Sequence, residues 1–104
     1  MLIMGRARVI RFFPDWGREE PLWEEGAYEY ALRVSDLNIS SDLKRGLLNY
    51  MTFWTEHFDV DTEWDSKLAE REFSDEGDRL ISELKKQLHD GFVILDERDE
   101  YSRV

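Results

Sequence analysis

The stretch from 40 to 58 constrains this chain more than any other, because every signal for a buried helix agrees there. Ser40 is a favourable N-cap, Asp42 lies in the first turn where the peptide dipoles favour an anion, and Leu43, Leu47, Met51, Trp54 and Phe58 recur every three or four residues. A stripe of that kind has to be covered. The cover on offer is a second helical pattern carrying Leu80, Ile81, Leu84 and Leu88, together with an apolar run near each end of the chain.

Residues 3–13 read as a strand, with Val9, Ile10, Phe12 and Phe13 giving β-branched and aromatic weight and Arg6, Arg8 and Arg11 breaking the run. The alternation places Arg6 and Arg8 on one face, expected to meet solvent. The strand stops at Pro14, before a turn at Asp15-Trp16-Gly17. Between 19 and 38 the pattern is weakest. Tyr28, Tyr30, Leu32 and Val34 alternate with Ala27, Glu29, Ala31 and Arg33, which predicts a short strand, although Glu29, Ala31 and Leu32 also tolerate a helical turn.

After the first helix, 66–73 reads as a separate short helical turn and Ser74 as the cap of the last helix. Asp75, Glu76 and Asp78 would then sit in its first turn and Lys85 and Lys86 near its end, both matching the dipole. Gly91 fits the left-handed residue past a helix end. The run Phe92-Val93-Ile94-Leu95 suits a strand buried on both faces or paired beside the first one, and the charged segment 97–104 is expected to fray. The expectation is a single domain over 1–104 of α/β (α+β) class. Two helices pack on one face of a two- or three-stranded sheet in the order β-(β)-α-α-β, with the pairing direction of the terminal strands left open.

Charge narrows the partners more than the task. Asp and Glu number 24 against 14 Lys and Arg, a net charge of -10 that repels nucleic acid and anionic membranes, so a basic protein or a cation is the complement. An acidic excess also serves simply to solvate a surface. Without cysteine there is neither a disulfide framework nor a thiolate metal site. Met1 to Met4 is too short for a signal-peptide core, and no run approaches the roughly 18 apolar residues of a membrane span, so a cytoplasmic protein is expected. No glycine-rich phosphate loop, nucleophile elbow or nucleic-acid module is present, and the 24 acids single out no catalytic pair. The chain therefore reads as a non-enzyme that needs no cofactor.

Two groups of residues stand out as interface candidates. The first is Glu19, Glu20, Trp23, Glu24, Glu25 and Tyr28, where aromatic rings among acids serve either as core plugs or as anchors for a partner. The second is Asp59, Asp61, Glu63 and Asp65. With Glu70, these acids approach the ligand spacing of a calcium loop, but Trp64 stands where the sharp turn needs glycine and Glu63 where a shorter acid is usual. An acidic interhelical turn with Trp64 folded onto the core fits better. The two histidines, His57 and His89, lie at helix ends without a second ligand at metal spacing and read as structural.

Phe13-Pro14-Asp15-Trp16-Gly17 followed by Pro21-Leu22-Trp23-Glu24-Glu25 resembles a set of small acidic proteins common in actinobacteria. Asp36-Leu37-Asn38-Ile39-Ser40, Trp64-Asp65 and Glu76-Gly77 before Leu80 extend the likeness over most of the chain. It departs from that pattern at 29–34, where a shorter, polar connection is expected. The group has no established activity to carry over, but it is similar in style to immunity proteins encoded beside secreted toxins. The leading expectation is thus an immunity or antitoxin-type inhibitor that occupies a basic partner such as a nuclease toxin. The alternatives are a nucleic-acid-mimicking inhibitor of a DNA-binding enzyme, and a calcium-binding or purely structural domain.

Overall fold

The computed structural model describes residues 7–26, 31–88 and 91–98. Its central helix runs Ser41–His57 (α1), and the Ser40 hydroxyl accepts from the Leu43 amide at 3.1 Å, as the cap reading requires. Leu43, Leu47, Tyr50, Met51 and Trp54 are buried along one side. The antiparallel partner is one unbroken helix, Lys67–Leu88 (α2), in which Ala69, Phe73, Gly77, Leu80, Ile81 and Leu84 are buried.

The expected break at Ser74 is therefore absent. Ser66 caps instead, its hydroxyl accepting from the Ala69 amide at 3.0 Å, and Ser74 sits mid-helix. The apolar register runs straight through the polar Ser74-Asp75-Glu76, and tertiary burial of Phe73 and Gly77 outweighs their capping tendency. At the far end Gln87 ties the helices together, accepting from the Ser40 amide at 2.7 Å and donating to the Ser40 hydroxyl at 3.3 Å.

The sheet holds strands Arg8–Phe12 (β1), Leu22–Glu24 (β2) and Phe92–Asp96, in the order β2, β1, C-terminal strand. Between β2 and that last strand a two-stranded hairpin joins the helices, Phe58–Asp59 (β3) and Glu63–Trp64 (β4), so the C-terminal strand is β5. Strand β1 pairs antiparallel with β2 and parallel with β5, which settles the open direction of the terminal strands. A parallel pair needs a long crossover, and the two helices supply it. Ile10, Phe12, Leu22 and Ile94 share the inner face and close over the helices. Of the two readings for the last apolar run, pairing beside the first strand is the one observed, since Val93 is exposed.

The weak segment is described only in part. The structure shows a strand at Leu22–Glu24 that the pattern did not announce, three residues being too few to show a period. Residues 27–30 lie outside the described residues. Ala31 makes a single bridge to Trp23, the Leu32 amide donates to the Leu22 carbonyl at 3.0 Å, and the chain then turns through a 3-10 segment at Val34–Asp36. Arg6 and His89 also lie outside the described residues.

The start of the C-terminal segment is anchored. Arg98 is buried, its guanidinium forking onto Asp96 at 2.8 and 2.7 Å, reaching Asp78 at 2.6 Å and donating to the Ser74 carbonyl at 3.0 Å. Glu97 pairs with Arg11, and residues 99–104 lie outside the described residues. Hydrogen bonding from Arg98 holds the Asp96 carboxyl below its ordinary value of 3.8. A depressed carboxyl stabilises the fold above that ordinary value, and the contribution is lost as pH falls through the folded value. An acid titration of urea stability should accordingly show a shallower slope below pH 3.8 in Asp96→Asn than in the wild type. Equal slopes would show that the pair does not couple folding to pH.

Candidate functional site

Carboxylates divide by whether the chain's own cations already hold them. Around the sheet they are held. Glu24 takes a two-pronged contact from Arg8 at 2.7 and 2.6 Å, and that hydrogen bonding pushes its carboxyl down. Glu25 and Glu97 share Arg11. Glu20 lies 3.6 Å from Arg18 and accepts from the Val34 amide at 3.3 Å, so it braces the 3-10 segment. Glu19 is exposed. Trp23 is buried, stacked on Phe13 at 5.1 Å with its indole N–H donating to the Phe13 carbonyl at 3.2 Å, under the Arg18 guanidinium. Of the two roles open to that ring, the core plug is what the packing gives. Tyr28 lies outside the described residues.

At the hairpin that joins the two helices the carboxylates are freer. Asp59 spends one oxygen on its own turn, accepting from the Asp61 amide at 2.8 Å and the Thr62 amide at 3.4 Å. This aims Val60 and Asp61 outward, and Val60 is 63% exposed. Glu63 takes a left-handed backbone with φ of 62°, a conformation costly for any residue with a Cβ. Asp65 meets the His57 ring at 2.8 Å, and its amide donates to the His57 carbonyl at 2.9 Å, so the pair clips the end of α1 to the entry of α2. Trp64 does fold onto the core, edge-on to Phe58 at 5.2 Å and against Phe73 at 4.9 Å. Asp59, Asp61, Glu63 and Asp65 are thus exposed together on one hairpin, beside the exposed Leu68. Among the described residues no group of three or more His, Cys, Asp or Glu is arranged to hold a metal ion.

A cleft of about 170 Å³ opens between the helices, lined by Gly46, Asn49, Tyr50 and Phe53 of α1 and Glu72 and Glu76 of α2. Sequence reasoning missed it. Its only advance signal was a glycine in the middle of each helix, which marks a close crossing. A Cβ on Gly46 would stand 3.0 Å from Leu80, and one on Gly77 only 2.5 Å from the Tyr50 hydroxyl. The Tyr50 hydroxyl donates to the Phe73 carbonyl at 3.1 Å, and burial pushes its pKa up, so it is a neutral structural donor.

A family model described as Serratia CdiI immunity protein-like matches residues 8–95. The chain belongs to that family. The match begins at the first residue of β1 and ends one residue inside the end of β5, so it takes in the sheet, both helices, the acidic hairpin and the cleft. No curated protein matches the chain. As a Serratia CdiI immunity protein-like chain it is an immunity-type inhibitor of a toxin, and its working part is a surface for a protein partner. Among the described residues no helix is long and apolar enough to cross a membrane.

Proposed function

We propose that this immunity-type inhibitor acts in the cytoplasm as a non-enzymatic plug, setting its acidic hairpin against a cationic surface of the toxin such as a nuclease active site. The single observation that carries this reading is the exposure of Asp59, Asp61 and Glu63 on a short hairpin that projects Val60, while most acids of the sheet are engaged by arginines. Unpaired surface carboxylates speed encounter with a basic partner, and an apolar tip among them gives the encounter complex something to bury. The net charge of -10 works in the same direction. A toxin that acts on nucleic acid needs a positive site for its substrate, and a protein seated there excludes that substrate without any chemistry of its own.

The test is to purify the cognate toxin domain and measure its affinity for the inhibitor at low and high ionic strength. Affinity should fall as salt rises, mainly through slower association. Reversing Asp59, Asp61 and Glu63 to lysine together should weaken binding about tenfold, each exposed charge contributing roughly 0.5 kcal/mol. Salt-indifferent binding, or full affinity in the triple variant, would remove the hairpin from the interface.

A further inference from the structure

Resting on the reading that the toxin presents a cationic surface, we propose that the cleft between α1 and α2 is a socket for one arginine side chain of that partner, with Glu72 as counter-charge and Phe53 as aromatic wall. At about 170 Å³ the cleft is below the roughly 300–1,000 Å³ of a small-molecule pocket and suits one long side chain. Gly46 lines it without a side chain of its own, with Leu80 packed close at that point. Phe53 is half-buried, so part of its ring faces the space, where a guanidinium gains from both the ring and the apolar surroundings.

The charges around the cleft call for a cation. Glu72 has no ion pair or hydrogen bond among the described residues, and its neighbours three and four positions away on α2 are Leu68, Ala69, Asp75 and Glu76. Like charges at that spacing repel, and none of the four relieves it. One turn further on, Arg79 already forks onto Glu76 at 2.9 and 2.6 Å, which shows the arrangement that a guanidinium adopts on this helix face. That internal pair closes one end of the cleft, its Nη2 3.4 Å from where a Cβ on Gly46 would stand, and leaves the Glu72 end for an incoming side chain.

The decisive measurement is a ¹⁵N NMR titration of the full chain with N-acetyl-L-arginine amide and, separately, with its neutral counterpart N-acetyl-L-citrulline amide. The arginine probe should give saturable shifts at Gly46, Asn49, Phe53, Glu72 and Glu76, and the citrulline probe none. Glu72→Gln, an exposed change that leaves the fold intact, should weaken arginine binding about tenfold, and Phe53→Leu should weaken it about fivefold while keeping an apolar wall. Shifts spread over all the surface acids, or unchanged in Glu72→Gln, would overturn the socket. The toxin domain separates the two ideas. If it binds wild type and Glu72→Gln equally, the socket falls and the inhibitor reading stands; if it does not bind wild type at all, the inhibitor reading falls first.

Discussion

Gly77→Ala is expected to destabilise the protein by about 2–4 kcal/mol and lower its melting temperature by roughly 10–20 °C. Helix propensity alone argues the other way, since alanine is better than glycine in a helix interior by about 1 kcal/mol. Space decides the sign. An added Cβ would overlap the Arg98 guanidinium and stand 2.5 Å from the Tyr50 hydroxyl, and neither can retreat cheaply. Arg98 is held by Asp78, Asp96 and the Ser74 carbonyl, and Tyr50 is stacked on Phe73 at 4.3 Å. Gly46→Ala is the control on the facing helix. There the nearest atom is the tip of Leu80 at 3.0 Å, a flexible end that can shift, so the cost should stay under about 1 kcal/mol. Thermal unfolding followed by circular dichroism distinguishes the two. Equal melting temperatures for the two alanine variants would show that Tyr50 and Arg98 do not confine Gly77.

Trp54→Ala should cost about 3–5 kcal/mol, a large share of the roughly 5–15 kcal/mol that holds a domain of this size together. Trp54 is 2% exposed and sits at the centre of a chain of rings, 4.2 Å from Trp16 and 5.6 Å from Phe58, which in turn meets Trp64. Truncation leaves a cavity that no neighbour can fill, because the hairpin is tied back through Asp65 and His57. Trp54→Phe should cost distinctly less. The indole N–H has no hydrogen-bond partner among the described residues, so phenylalanine keeps most of the apolar contact and removes a buried orphan donor. Urea denaturation gives both numbers. A phenylalanine variant as unstable as the alanine one would mean that the indole N–H is satisfied and contributes.

Those two residues also separate what was legible in the chain from what was not. Trp54 was readable as core from spacing alone, because Ser40, Asp42 and the recurring apolar positions all specify the same helix. The last strand and the second helix were readable for the same reason. The start of that helix was not, since Ser74 with Asp75 and Glu76 imitates a cap and only the burial of Phe73 and Gly77 overrides it. Strand β2 escaped notice because three residues carry no period.

For the candidate site, residue types were visible and pairings were not. Glu24 and Asp61 look alike on paper. One is claimed by Arg8 across the sheet and the other has no ion pair among the described residues, a distinction made by strand register over a separation of 16 residues. Local chemistry therefore determined the two amphipathic helices, the terminal strands and the acidic excess, because propensity, capping and net charge are properties of neighbouring residues or of their sum. Which carboxylates remain free, which glycine must stay a glycine, and that Phe53 and Glu72 share one cleft were decided only when the helices crossed, since each depends on atoms brought together from distant parts of the chain.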